Sequence, residues 1–336
     1  MTRTLALLES PAQILNLLEW AHDEDGREIA AAVILPRAEA AREQLRTMSG
    51  LAERTGPVVS TFSPRDGARE LARCAAVLAG RVARARTLVI GDPFSQLTQA
   101  LLPLARPERV VIIDDGTATM EFAARLREGR PLTRWHSTAR APARAARATR
   151  WLTGRPVELF TSLPVPAPPN VTLTANTYAW ARAGFGPPEV TDTVDLLGTS
   201  LVETGVVDQD AYLTAVARLA GTHRVDRYLA HRRESPAKLA ALAERTGVTV
   251  VRPELPLELH ARTGPVAATI ISFPSTMVHT LPLLLAGSGV RVVIQEVEPS
   301  WLAAGASGHA SRFLAEVTGS ARERHGLATV PPLRSS

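Results

Sequence analysis

Short apolar runs rich in β-branched residues alternate along this chain with longer stretches whose apolar residues recur at i, i+3 and i+4. The first kind reads as buried strands and the second as amphipathic helices. Through residues 1–130 the pattern predicts strands at Thr4–Leu8, Ala30–Leu35, Val58–Phe62, Thr87–Ile90 and Val110–Ile113. Between them it predicts helices at Ala12–His22, Ala38–Met48, Asp66–Leu78, Gln96–Leu104 and Ala118–Glu128. In Asp66–Leu78, the residues Ala68, Leu71, Ala72, Ala75 and Leu78 share one face, and Arg69, Glu70 and Arg73 are left to water. Strands that alternate with helices imply βα units around a parallel, doubly wound sheet.

Residues 191–336 repeat the rhythm without repeating the sequence. Strands are expected at Thr193–Leu197, Arg227–His231, Thr249–Val251, Ala268–Phe273 and Val290–Ile294, with helices at Asp210–Ala220, Ala237–Arg245, Met277–Leu285 and Ser311–Thr318. Residues 131–190 lose the pattern. Seven arginines, from Arg130 through Arg134, Arg140, Arg144, Arg147 and Arg150 to Arg155, occur with no acid between Glu128 and Glu158, and a Pro-rich run follows at 164–169. This stretch reads as a basic, Pro-rich linker or insertion. The expected fold is therefore α/β, with two Rossmann-like domains facing across a cleft at the carboxyl ends of their strands.

Composition narrows the chemistry. The chain has 336 residues and 45% hydrophobic content, enough for two cored domains. Cys74 is the lone cysteine, which rules out a disulfide framework or a multi-thiolate zinc cage. Of 38 basic residues, 37 are arginine and one, Lys238, is lysine. No G-x-x-x-x-G-K-[ST] surrounds that lysine, so a P-loop is excluded. No apolar run is long enough for a membrane span and no signal-peptide pattern opens the chain, so a cytoplasmic location is expected. The net charge of +5 hints at an anionic ligand or surface. Trp135 and Trp151 stand beside arginines within the arginine-rich 130–155 segment, which suits an anionic membrane face or an acidic acceptor. Aromatic residues are only 4% and no stacking module is visible, so nucleic acid is not an expected partner.

Three strand ends carry the candidate chemistry. An apolar run ends in Asp114-Asp115-Gly116-Thr117, where mutual repulsion between carboxylates can raise one of them towards a general base. The same four residues also suit an ordinary turn, with Gly116 in it and Thr117 capping a helix. Tyr228-Leu-Ala runs out into His231-Arg232-Arg233-Glu234-Ser235, a group suited to a dianion. Ile270-Ile leads to Ser272-Phe-Pro-Ser275-Thr276, where small hydroxyls open an apolar helix whose unpaired N–H groups make an anion site.

Taken in this order, the three segments resemble the bacterial sialyltransferases and polysialyltransferases of the GT-B fold. That group is marked by an acidic pair followed by glycine, then a histidine motif, then a Ser/Thr motif. Gly198-Thr-Ser-Leu-Val-Glu203-Thr-Gly205 is similar to the turn that enters their nucleotide-binding domain. The chain departs from the group at Arg232, where proline commonly follows the histidine. The resemblance implies an inverting transfer from a CMP-activated sugar, most simply CMP-sialic acid, to a hydroxyl of a glycan or glycolipid. It implies no metal and no cofactor beyond that donor. Asp114 or Asp115 would be the base, with Asp114 favoured. His231 would assist the departing phosphate, which Ser272, Ser275 and Thr276 would hold, and Gly116, Gly198, Arg232, Arg233 and Glu234 would complete the donor side. Two other readings fit the same residues: a non-catalytic binder of nucleotide-sugars or anionic glycans, and another two-domain sugar-nucleotide enzyme such as an epimerase.

Overall fold

A computed structural model describes residues 4–22, 24, 28–37, 39–134, 142–306 and 308–331. Trp135 and Arg140 lie outside the described residues. The chain divides into two compact units, Met1–Trp180 and Ala181–Ser336.

In the first unit, seven strands form one sheet: β1 (Thr4–Leu8), β2 (Ile29–Ile34), β3 (Val58–Phe62), β4 (Thr87–Ile90), β5 (Arg109–Ile113), β6 (Val157–Thr161) and β7 (Val171–Ala175). Their order is β3-β2-β1-β4-β5-β6-β7 and every pairing is parallel. Helices α1 (Pro11–His22), α2 (Glu39–Thr55), α3 (Ala68–Arg84), α4 (Gln96–Leu101), α5 (Thr117–Arg127) and α6 (Pro142–Thr153) connect them. Strands β1 and β4 are buried at every residue, which is why they appear in the sequence as unbroken apolar runs.

The second unit begins within α7 (Ala179–Phe185) and holds six strands: β8 (Val190–Leu197), β9 (Arg227–Leu229), β10 (Thr249–Val251), β11 (Val266–Ser272), β12 (Arg291–Ile294) and β13 (Ala328–Thr329). Their order is β10-β9-β8-β11-β12-β13, again all parallel. The connecting helices are α8 (Gln209–His223), α9 (Pro236–Thr246), α10 (Leu257–Thr263), α11 (Met277–Leu284) and α12 (Gly308–His325). Both units are thus Rossmann-like, the pair of folds that makes up the GT-B class. Among the described residues no helix is long and apolar enough to cross a membrane.

Three local differences from expectation have plain causes. Residues 142–175, expected as linker, form α6, β6 and β7, and the two strands extend the first sheet. β7 carries the pattern of an edge strand, exposed at four of five positions, so it shows no apolar run. Helix α3 runs on to Arg84 and buries Cys74, Leu78 and Val82, while Leu71 in its first turn is 46% exposed. The docking stripe is centred on the second half of the helix and runs one turn past the predicted span, to Val82. At the start of α5, Gly116 occupies the cap position at φ 67°, and Thr117 is the first helical residue.

Candidate active-site residues on the two units

In each sheet the chain order reverses direction once, and ligands of open α/β sheets bind beyond the carboxyl ends of strands at such a reversal. The reversal lies between β1 and β4 in the first unit and between β8 and β11 in the second.

In the first unit, β5 delivers Asp114 and Asp115 to the carboxyl edge, and the two residues have different surroundings. Asp114 is 1% exposed. Its Oδ1 accepts from the Thr119 hydroxyl at 2.7 Å, and its Oδ2 accepts from the Thr161 hydroxyl at 2.8 Å. The Ser162 N–H (3.2 Å) and hydroxyl (3.3 Å) also donate to Oδ2. Burial pushes this carboxyl's pKa up, and the hydroxyl and amide donors offset part of that. The Asp114 main-chain oxygen accepts from Asn16 Nδ2 at 2.9 Å, and Asn16 in turn accepts from Asn176 at 2.9 Å. Asp114 is therefore an internal brace joining β5, β6, α1 and α5.

Asp115 stands at the surface of that brace. Its N–H donates to Thr119 Oγ1 at 2.9 Å, its Oδ1 accepts from the Ser10 hydroxyl at 3.2 Å, and Arg134 Nη2 lies 3.4 Å from its Oδ2. Arg134 also bonds Asp92 at 2.9 Å and sits over the Phe94 ring at 5.3 Å. The backbone can turn between Asp115 and α5 because Gly116 takes the left-handed φ that an L side chain would strain. Gly116 belongs to this acidic turn, on a different unit from the other expected donor-side residues.

In the second unit, β8 lies between β9 and β11. Gly198 follows β8, His231 follows β9, and Ser272–Thr276 follows β11, so these residues share one sheet edge. The Gly198 N–H donates to Leu229 O at 2.8 Å. A Cβ at Gly198 would strike Glu234 Oε2 and come within 2.8 Å of the Tyr228 hydroxyl and 2.9 Å of His231 N. Only glycine fits there.

Glu234 is 3% exposed and its Oε2 accepts the His231 N–H at 2.6 Å. Its Oε1 meets the Tyr228 hydroxyl at 2.5 Å and Lys238 Nζ at 2.8 Å. Burial raises the Glu234 pKa, and the Lys238 ammonium pulls it back. His231 itself is half-buried. Its pKa is lowered to about 3, first by burial and then by the neighbouring charges of Arg232, Arg233, Lys238 and Arg252. The imidazole is therefore neutral at physiological pH. Its Nδ1 accepts the Arg233 N–H at 3.2 Å, which leaves Nε2 as the N–H donor. Arg252 fixes the same turn from outside, donating to the main-chain oxygens of Arg232 (3.3 Å) and Glu234 (2.9 Å). The Arg232 and Arg233 side chains are exposed.

At the β11 end, Ser272 is buried and its hydroxyl donates to Phe273 O at 2.9 Å, with Ser275 Oγ at 3.5 Å. Ser275 Oγ accepts the Met277 N–H at 3.3 Å. Thr276 occupies the cap of α11 with no side-chain capping bond, and both Ser275 and Thr276 are partly exposed. A hydroxyl pair at a helix start supplies donors for an anion.

Sequence reasoning missed several members of these groups. Asn16, Thr119, Thr161, Ser162 and Asn176 are ordinary polar residues whose convergence only the sheet order reveals. Lys238 is different, since a single lysine among 37 arginines was a visible departure. Among the described residues no three His, Cys, Asp or Glu side chains gather as metal ligands would.

The sequence matches no family model, and none of the curated proteins matches it. Solved structures share its fold. An α/β-galactoside α-2,3-sialyltransferase from the luminous marine bacterium Photobacterium phosphoreum superposes with a TM-score of 0.53 at 8% identity, over 98% of this chain and 99% of that one. A putative UDP-N-acetylglucosamine 2-epimerase from Listeria monocytogenes gives 0.50 at 10% identity, over 88% and 79%. At these identities the likeness is one of fold, shared by glycosyltransferases and epimerases alike.

Proposed function

We propose that this chain is an inverting, metal-independent glycosyltransferase that takes a sugar, most simply sialic acid, from a CMP donor to an acceptor hydroxyl. The observation that carries this reading is the β9 strand end. There a neutral imidazole, held with its Nε2–H as donor, is followed by two exposed arginines on the same sheet edge as the Ser275–Thr276 helix start. Donors and guanidinium groups of this kind suit a phosphate leaving group, and one phosphate is few enough charges for side chains alone to neutralise.

The acidic turn of the first unit supplies the other half of the reaction. Asp115 is the better candidate for the base, because all four bonds of the buried Asp114 carboxylate are turned inward. In the proposed step the Asp115 carboxylate takes the acceptor hydroxyl proton as that oxygen bonds to the anomeric carbon. The bond from that carbon to the CMP phosphate oxygen breaks, and its electron pair leaves with the phosphate. His231 stabilises the charge by a hydrogen bond from Nε2–H. A bound dianion would raise the imidazole's proton affinity from its low resting value. Glu234, buried against Gly198, serves the turn and not the nucleotide.

On the acceptor side, the exposed Arg147 and Arg150 of α6, with Arg144 and Arg155 beside them, suit an anionic membrane face. Among the described residues no carboxylate pairs with any of the four. Such a face would suit a glycolipid or membrane-held glycan as acceptor.

The test is nucleotide choice followed by donor hydrolysis. CMP at ~100 times its dissociation constant should add about 2.7 kcal/mol to stability, with UDP and UMP adding less. CMP-sialic acid should be hydrolysed slowly without acceptor. Tighter binding of UDP, or turnover of a UDP-sugar at C2, would move the chain to the epimerase reading.

A further inference from the structure

The second unit buries an ion pair that phosphate chemistry itself does not require. Lys238 is 0% exposed, and each of its three ammonium protons has an acceptor: Glu234 Oε1 at 2.8 Å, Thr199 O at 3.0 Å and Glu203 Oε2 at 3.1 Å. The Tyr212 ring lies 4.6 Å from the ammonium, and the Tyr212 hydroxyl is 2.7 Å from that of Tyr228, which reaches Glu234. Burying charge is costly, and an apolar pair of similar size is commonly as stable. A chain that otherwise uses only arginine here places a point-like ammonium, whose tetrahedral donors match three acceptors that a planar fork would not.

The three acceptors belong to two different turns. Thr199 and Glu203 lie in the turn after β8, and Glu234 lies in the turn after β9. Glu203 spans the same gap, accepting the Ser235 N–H at 3.1 Å through Oε1. Ser235 in turn caps α9 by accepting the Lys238 N–H at 3.2 Å. The ammonium therefore fastens two strand-end turns to each other, and the Glu234 it fastens holds the His231 main chain. Lys238 and Glu234 are buried, while His231 and Glu203 reach the surface from the two turns.

We infer that Lys238 is a positioning residue for His231: through Glu234 it fixes the main chain on which the imidazole is oriented and its Nε2–H tautomer selected. The inference rests on the nucleotide reading only for its consequence, because the imidazole itself can be observed without ligand. Loss of the ammonium should free the turn after β9, break the Arg233 N–H to Nδ1 bond, and let the two tautomers mix.

The experiment compares wild type with Lys238→Met/Glu234→Leu, an apolar replacement of the pair, and with Tyr228→Phe, which removes one hydroxyl from Glu234. Nitrogen-15 spectra of the histidine rings in ligand-free protein should show one Nε2–H tautomer for His231 in wild type. The double variant should show a tautomer average while keeping its far-ultraviolet circular dichroism, and Tyr228→Phe should move part of the way. Affinity for CMP should fall tenfold or more in the double variant and about threefold in Tyr228→Phe. A folded double variant that keeps the single tautomer would overturn the inference. If it does not fold, an unchanged ring signal in Tyr228→Phe would overturn it equally. Wild-type protein that shows the single tautomer but does not bind CMP would leave the positioning role standing and remove the nucleotide reading instead.

Discussion

The carboxyl edges of the two sheets solve the burial of a carboxylate differently. In the first unit Asp114 lies among hydroxyl and amide donors, and none of its four bonding partners is charged. In the second, Glu234 is held against an ammonium that two further acceptors share. The neutral cage gives a rigid floor beside a second carboxylate, Asp115, which is only partly buried and is met by the Ser10 hydroxyl and Arg134. The ionic clamp lies beneath a histidine that burial first, and then the charges of Arg232, Arg233, Lys238 and Arg252, keep neutral. The contrast comes from the buried layer under each turn; in the proposed reaction the first edge would receive a proton and the second would donate hydrogen bonds to an anion.

That contrast can be broken most severely at Asp115. Asp115→Asn should cut single-turnover transfer by about 10²–10⁴-fold, the usual worth of general-base assistance, with CMP affinity within twofold of wild type. Retained turnover would move the base elsewhere. Removing the neighbouring carboxylate should do the reverse. Asp114→Ala leaves four donors facing a void and should cost about 3 kcal/mol of stability in urea titration, because each abandoned buried donor is expensive. If Asp114→Ala is as stable as wild type and only turnover falls, the roles of the two acids are exchanged. Substituting His231 by alanine should weaken CMP binding and turnover together, since ground-state phosphate contacts are lost along with transition-state ones.

A smaller effect concerns acid. His279 on α11 is fully buried, its Nε2 3.3 Å from the Ser320 hydroxyl and its ring 5.5 Å from that of His325. Burial, then the neighbouring His325 and Arg324, lowers its pKa to about 4. Between pH 6.5 and about 4 the unfolded chain binds a proton at this histidine that the folded chain does not. Stability is therefore lost as pH falls through that window, by about 1.4 kcal/mol per unit for such a group. The unfolding free energy of wild type should thus fall more steeply with acid than that of His279→Leu, and parallel curves would refute the assignment. The smallest expected effect is at the surface. Neutralising Arg144, Arg147 and Arg150 together should weaken binding to phosphatidylserine vesicles at low salt and make no difference at high salt.

Legibility in the sequence followed burial. Strands closed in on both faces, such as β1 and β4, are short apolar runs that need no context. The first unit lost its definition where burial is partial. α6 alternates alanine with arginine, and β7 faces water at most of its positions, so neither shows the expected period. Candidate chemistry was legible at strand ends, because Asp115, His231 and Ser275 occupy the positions where a parallel sheet presents its ligands. The layer beneath them was not. Thr161 and Ser162 are 47 and 48 residues from Asp114, and Asn16 is 98 residues from it, distances that only the sheet order closes. Lys238 was visible as a compositional oddity, but its role depended on Thr199 and Glu203, which follow a different strand.

The solitary buried lysine also makes the second unit report on its own opening. Endoproteinase Lys-C can cut this sequence only after Lys238, and the side chain it must recognise is 0% exposed in the native state. Each cleavage therefore records one excursion that exposes Lys238, whether by local opening around α9 or by unfolding of the unit. A simple gel, run at increasing concentrations of any nucleotide, would measure how firmly that ligand holds the unit shut.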